Sequence, residues 1–333
     1  MNVIYLVLGI VLLISVTGDL LWTTLWIAEG AGPITSLVME GTWRLLRRIG
    51  KRNSRLLSLS GPLILALGLI VWIILLWSAW TLIFASSESA LIDTLNRGPI
   101  SWYDRIYFTG YTIFTLGIGD FAPRKGVWQM LTVIMTASGL LFVTLAITYM
   151  LSVLDAVTQK RSFASNVRGL GTTSEEIIQT SWDGEKFRGL ELPLNTLTTQ
   201  LNTLTTNHKA YPVLHYFHSQ QDNKAPVISI IIFDEMLTIL QFGVPEQDQP
   251  DKIIVKSART GVQNYLETLQ HTFVEPAAHT PSTRNLDILR EKGIPTVSDN
   301  EFASSFDKLS KRRRVLLGLA NSDARQWPSQ DEK

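Results

Sequence analysis

The chain has 333 residues, of which 46% are hydrophobic and 18% are charged, against roughly 25% charged in a typical soluble domain. Up to Asp155 there are 10 Lys/Arg and 8 Asp/Glu residues, and after it there are 20 Lys/Arg and 21 Asp/Glu residues. The low density of charge in the first half predicts that it is embedded in a membrane, and the higher density predicts a soluble second half. A net charge of +1 gives no basis for nucleic acid as a partner, and the lack of cysteine excludes disulfides, thiolate nucleophiles and Cys-ligated metal centres.

Three apolar stretches are long enough to cross a bilayer, which takes about 20 residues. They lie at residues 3–27, 61–85 and 127–154. The first lacks the basic start and the clear cleavage site of a secretory signal, so we expect it to be retained as a helix. Its one interior charge, Asp19, is expected near the cytoplasmic interface or in a helix contact rather than on an ion pathway.

The segments that connect these spans predict the orientation of the chain. Those before the second span and after the third are basic, with Arg44, Arg47, Arg48, Lys51, Arg52, Arg55, Lys160, Arg161 and Arg168. The segment between the second and third spans has no net charge. The positive-inside rule therefore predicts a multi-pass protein of the plasma membrane with its N-terminus outside and its C-terminal domain in the cytoplasm. Apolar residues among the basic ones also suit a helix on anionic inner-leaflet lipid, with a solvated loop as the alternative.

Between the second and third spans, residues 101–115 form an amphipathic run of about four helical turns, too short and too polar to cross a bilayer. This run leads into Thr-Leu-Gly-Ile-Gly-Asp at residues 115–120. Glycines at every second position permit positive φ there, so that the carbonyl groups turn to one side. Four such segments around an axis would stack rings of carbonyl oxygens that replace the hydration shell of a monovalent cation.

This pattern resembles the pore domain of the potassium channel family over residues 61–155, as outer helix, pore helix, selectivity filter and inner helix. The family signature is threonine, two residues, then threonine-valine-glycine-tyrosine-glycine-aspartate. The chain matches it at Thr112, Thr115, Gly117, Gly119 and Asp120. It departs at Leu116, where valine is usual, and at Ile118, where tyrosine is usual. The second departure removes a hydroxyl that helps tie the filter to the pore helix in the family, although two-pore-domain potassium channels have similar apolar replacements.

The resemblance implies a potassium-selective channel, and a chain with one filter segment needs four copies to close a ring, which predicts a homotetramer. Thr115 would coordinate the ion nearest the cavity, and Asp120 would attract cations at the outer mouth. Leu116, Gly117 and Ile118 would contribute carbonyls only. Gly139 lies where many family members have a gating-hinge glycine, with close helix packing as the alternative. A voltage-sensor helix is not predicted, because no span has arginines at three-residue spacing.

Residues 156–333 predict a mostly helical cytoplasmic regulatory domain. Apolar spacing favours helices at 192–207, 253–273, 286–292 and 302–319, and the basic run at 311–314 is expected to be a solvated face. The apolar run Val227–Phe233 is the best candidate for a short strand, with a buried helix as the alternative. Three histidines at 208, 215 and 218 have no cysteine or carboxylate at ligand spacing, so no metal site is predicted. Enzyme motifs are absent as well, and the sequence identifies no ligand for this domain.

The predicted fold is mainly α, with three transmembrane helices and a re-entrant pore helix before the helical cytoplasmic domain. The predicted parts are a first transmembrane helix at 1–30, a basic segment at 31–58, a pore domain at 59–155 and a regulatory domain at 156–333. We expect gating through the inner helix and the regulatory domain, with permeant K⁺ and no cofactor. The expected partners are further copies of the chain and membrane lipids. Two alternatives stay open: a non-selective cation channel, and a non-conducting membrane-anchored sensor or scaffold.

Overall fold

The computed structural model describes residues 1–26, 30–50, 54–219, 221, 225–270 and 273–328. Ile27, at the predicted end of the first span, and Lys51 and Arg52, in the basic segment, lie outside the described residues. Most of the described chain is helical, and strands β1 (Leu91–Asp93) and β2 (Phe121–Pro123) form an antiparallel pair. The predicted mainly α fold is confirmed.

The helices divide between two compact units. In chain order they are α1 (Val3–Leu25), α2 (Pro33–Gly50), α3 (Ser54–Ser58), α4 (Ser60–Ala85), α5 (Trp102–Ile113), α6 (Val127–Leu170), α7 (Ser174–Ser181), α8 (Glu191–Ala210), α9 (Pro226–Thr238), α10 (Lys252–Gln270), α11 (Asp287–Arg290) and α12 (Asp299–Ser322). A π-helical turn at Ile239–Gly243 extends α9. The first unit comprises Met1–Leu45 and Pro62–Val153, and the second comprises Leu46–Gly61 and Leu154–Lys333.

The first unit is built around three helices that are long and apolar enough to cross a membrane, namely α1, α4 and α6, at the predicted places. Large side chains of α4 form its core with α1 and α5. This core includes Val16, Leu20, Trp72, Leu76, Trp80, Phe84, Phe108 and Tyr111. The short helix α5 is therefore packed against the membrane helices and positions the segment that follows it.

Helix α9 forms the centre of the second unit's core. The stretch Pro226–Gly243 is apolar enough to cross a membrane, but 83% of it is buried inside the protein, against 22–33% for the three other apolar helices. The short strand predicted at Val227–Phe233 is wrong, because these residues lie in α9. A helix buried on all sides shows no periodic pattern, and its packing overrides the β-propensity of isoleucine.

Two buried acids of α9 bind arginines from the surrounding chain. Asp234 accepts hydrogen bonds from Arg259 of α10 and Arg312 of α12, both at 2.8 Å. Glu235 accepts from Arg284 and from Arg313 of α12, both at 3.1 Å. The solvated face expected at 311–314 is therefore wrong for Arg312 and Arg313, whose charges face the core because α9 supplies carboxylates there.

Candidate functional site

Helix α5 is fixed at its first turn. Ser101 caps the helix by accepting a hydrogen bond from Asp104 N, while the Asp104 carboxylate accepts one from Ser101 N. Arg105 donates to the carbonyl oxygens of Phe84, at 2.9 Å, and Ser87, at 3.1 Å. These contacts join the start of α5 to the end of α4.

Two glycines allow close packing around α5. A Cβ at Gly110 would lie 2.9 Å from the Trp77 ring of α4, whose Nε1 donates to Ile106 O at 2.9 Å. A Cβ at Gly139 of α6 would collide with the carbonyl oxygen of Ile113, the last residue of α5. Close packing therefore accounts for Gly139, which lies inside the continuous helix α6, and its hinge role stays a prediction.

The segment after α5 has an alternating backbone. The angle φ is positive at Thr115 (60°), Gly117 (59°) and Gly119 (88°), and it is not positive at Leu116 or Ile118. Successive carbonyls of an ordinary strand point to opposite sides, and reversing the sign of φ at every second residue turns them to the same side. For a β-branched residue such as Thr115, positive φ costs about 1–3 kcal/mol, and such strain is concentrated at functional sites.

The last turn of α5 holds the inner end of this segment. Thr115 N donates to Thr112 O at 3.0 Å, and Leu116 N donates to Tyr111 O at 2.8 Å. Within the described part of the chain, no group donates a hydrogen bond to the carbonyls of residues 116–118, which are exposed. These carbonyls are therefore available to a ligand.

Asp120 follows the last glycine of the segment, and its charge is partly matched by a neighbour. Its side chain is 18% exposed, and its Oδ2 lies 3.5 Å from Nη2 of Arg97. The same Nη2 lies 3.3 Å from Oδ1 of Asp93. One guanidinium between two carboxylates leaves one net negative charge, which attracts cations to this end of the segment.

Asp19 joins three helices of the first unit. Its Oδ1 accepts hydrogen bonds from the backbone N of Ile34 (2.7 Å) and Thr35 (3.2 Å) at the start of α2. Its Oδ2 accepts from the Thr35 hydroxyl (2.5 Å) and from Nε1 of Trp72 (2.8 Å) on α4. A carboxylate at a helix N-terminus satisfies its free N–H groups and complements its dipole. Asp19 is thus in a helix contact, one of its two expected places.

Sequence reasoning missed two residues that contact the outer end of the segment. Thr94, just after β1, has its hydroxyl 2.8 Å from Asp120 O. Tyr111 of α5 donates from its hydroxyl to Phe121 O at 2.6 Å. Nothing in the loop sequence singles out Thr94. Tyr111 carried a usable signal, because a tyrosine on a buried helix face needs a partner for its hydroxyl.

The part of the second unit that the structure describes shows no group of metal-ligating side chains, and it does not identify the ligand of a binding site. Among the described residues, no three His, Asp or Glu side chains are grouped to hold a metal ion. His208 is buried with Nδ1 3.0 Å from Leu204 O, and burial lowers the pKa of His208 to about 3. A cleft of about 840 Å³ beside the π-helical turn contains Lys252 and Arg259. These two cations pair with acids of the chain, so the cleft does not indicate the charge of a ligand.

Comparison with known proteins supports the interpretation of the first unit. A family model described as an ion channel matches residues 69–156, which hold most of α4, all of α5, the alternating segment and the first part of α6. The chain is 42% identical over 332 residues to "Uncharacterized membrane protein YdjJ" of Bacillus subtilis (strain 168), covering 100% of this chain and 97% of that protein. No solved structure matches the chain.

Proposed function

Because this chain belongs to the ion channel family and is a multi-pass membrane protein related along its length to Bacillus subtilis YdjJ, we propose that it is a homotetrameric potassium channel. The alternating backbone of residues 115–119 carries this proposal. It leaves three consecutive carbonyls, after the end of a short helix, to which no group in the described chain donates a hydrogen bond. Carbonyls arranged in this way can replace the hydration shell of a monovalent cation. The negative end of the α5 dipole also favours a cation near this place.

The tetramer follows from the single filter segment of the chain. One segment supplies one side of an ion site, and closed rotational symmetry supplies the others. Leu116 and Ile118 are 67% and 54% exposed in the single chain. Neighbouring copies would cover these apolar side chains while the carbonyls face the common axis.

Potassium preference is supported by the five matches to the family signature. The coordinating groups are backbone carbonyls, so the replacement of tyrosine by Ile118 removes no ligand of the ion. It does remove one side-chain contact that stabilises the filter in the family. A filter that moves freely would conduct Na⁺ as well, which makes the non-selective cation channel the outcome to test against.

We also place the N-terminus outside the plasma membrane and the second unit in the cytoplasm, on the charge of the connecting segments. Helix α2 then lies at the inner leaflet, with exposed apolar residues Leu37, Leu45 and Ile49. Its basic residues are Arg44, Arg47 and Arg48, which suits anionic lipid.

Helix α6 continues without a break from Val127 to Leu170, so it offers a path for gating by the cytoplasmic unit. In this proposal K⁺ is the permeant ion, and the channel needs no cofactor.

Ion flux through the purified protein in liposomes tests this function. The vesicles carry an outward potassium gradient, with sodium replacing potassium in a second set. Gly119→Asp is the control, because it places a side chain at φ 88°. We expect potassium flux that exceeds sodium flux and that Gly119→Asp abolishes. Equal sodium and potassium flux would contradict the selectivity, and flux that survives Gly119→Asp would contradict the assigned filter.

A further inference from the structure

The outer end of the filter needs a support that Ile118 cannot give. An isoleucine side chain neither donates nor accepts a hydrogen bond, and Ile118 is 54% exposed in the single chain. Carbonyl rings that are free to move contract around a smaller ion. Discrimination against Na⁺ therefore depends on other groups that hold this backbone.

The two-stranded sheet of β1 and β2 next to the filter provides one such group. Strand β1 pairs with β2 so that Asp93 lies opposite Phe121, and the next residue, Thr94, faces the end of the filter. Thr94 N donates to Asp120 O at 3.0 Å. The Thr94 hydroxyl lies 2.8 Å from Asp120 O and 3.1 Å from Gly119 O, and it donates to either of them.

The pore helix provides the second group. Tyr111 is 6% exposed, and its hydroxyl donates to Phe121 O at 2.6 Å. The ring of Phe121 is itself held between Tyr107, with ring centroids 6.3 Å apart, and the guanidinium of Arg97, 4.8 Å from the ring centroid. The residue that follows Asp120 is thus fixed by its backbone and by its side chain.

We propose that Thr94 and Tyr111 are positioning residues that hold the outer end of the filter in place of the missing tyrosine hydroxyl and thereby set its preference for K⁺ over Na⁺. The proposal rests on the proposed function. Thr94 fixes the carbonyls of residues 119 and 120 from the end of β1, and Tyr111 fixes that of Phe121 from the pore helix. Together they prevent the ring carbonyls just before them from closing around Na⁺.

The test is the reversal potential of reconstituted channels with KCl on one side and NaCl on the other. Thr94→Val and Tyr111→Phe each remove one hydroxyl with little change of shape. We expect the permeability ratio of K⁺ to Na⁺ to fall about fivefold or more in each, which corresponds to one hydrogen bond. Thr94→Ser keeps the hydroxyl that Thr94→Val removes, so it should keep the permeability ratio of the unchanged channel.

Two control variants remove hydroxyls of the same kinds elsewhere in the first unit. Tyr103→Phe changes an exposed tyrosine of the same helix, and Thr132→Val changes a threonine whose hydroxyl donates to its own helix, at Trp128 O. Both should keep the ratio of the unchanged channel.

The permeability ratio of the channel without substitutions distinguishes failure of the proposed function from failure of the positioning role. If it does not prefer K⁺, the proposed function fails and the positioning role fails with it. If it prefers K⁺ and both Thr94→Val and Tyr111→Phe keep its ratio, the positioning role alone is overturned. Smaller currents at an unaltered ratio also overturn it, because that result indicates fewer folded channels rather than a looser filter.

Discussion

The proposed filter segment, residues 115–120, and helix α9 differ in how their polar groups are satisfied. Residues 116–118 are exposed, and no group in the described chain donates a hydrogen bond to their backbone carbonyls. In α9, Asp234 and Glu235 are fully buried, and arginines of the same unit bind both. Buried charges are tolerated when they are paired. Backbone carbonyls that point to one side and have no hydrogen-bond donor are free to bind a ligand. The first pattern indicates function, and the second indicates stability of the domain.

Removal of one charge from α9 should have the largest effect on stability. Asp234→Asn leaves Arg259 and Arg312 buried without their shared carboxylate. We expect the free energy of unfolding of the second unit to fall by about 3–5 kcal/mol. Thermal unfolding of the purified full-length protein, followed by circular dichroism, measures this change.

The control for that variant is Asp287→Asn. Asp287 pairs with Arg290 at 2.7 Å but is 59% exposed, so its loss should leave the unfolding midpoint nearly unchanged. If Asp234→Asn were as stable as this control, the ion pairs of α9 would contribute nothing, and the contrast with the filter would be lost.

Asp19 is the charge of the first unit that most resembles those of α9. Asp19→Ala leaves four donors without their acceptor, including two backbone N–H groups of α2 and Nε1 of Trp72. We expect a loss of about 3 kcal/mol in the free energy of unfolding, measured as a lower unfolding temperature in detergent. Ser15→Ala removes a hydroxyl bonded within α1 and serves as the control. Equal unfolding temperatures for the two variants would refute the role of Asp19 as a cap of α2.

Gly139 tests how closely the filter depends on helix packing. Gly139→Ala places a methyl group against Ile113 O, and we expect a loss of about 1–3 kcal/mol from overpacking, together with reduced potassium flux. Gly68→Ala in α4 meets nothing within 4 Å and should change neither. Unaltered stability of Gly139→Ala with altered opening would instead favour the hinge.

His208 should give the smallest effect, as a dependence on pH. Its folded pKa of about 3 lies below the unfolded value of 6.5, so the unfolded chain binds a proton first as the pH falls. Stability is therefore full above pH 6.5 and declines on acidification, by about 1 kcal/mol between pH 7 and pH 5.5. Denaturant unfolding at these two pH values should show a smaller decline in His208→Gln than in His279→Gln, which alters an exposed histidine. An equal decline in both variants would contradict the buried, neutral state of His208.

The structure around the proposed filter is easier to predict from the sequence than that of helix α9. The three spans, the short helix α5 and the glycines of the filter follow from apolar length and from a motif whose chemistry resides in the backbone. The uniform apolar run of α9 hides the helical period, so the sequence does not separate a strand from a buried helix there. The partners of Asp234 lie 25 and 78 residues away and carry no local signal. The role of Thr94 is hidden for a similar reason, because its partner Asp120 lies 26 residues away, beyond the pore helix.

A structure of the assembled channel, determined from crystals grown in Rb⁺ with anomalous scattering, tests the central claim most directly. The account predicts four chains around one axis, with Rb⁺ peaks on that axis between the carbonyls of residues 116–118. Filter segments that face lipid, or an axis without Rb⁺ between these carbonyls, would contradict it.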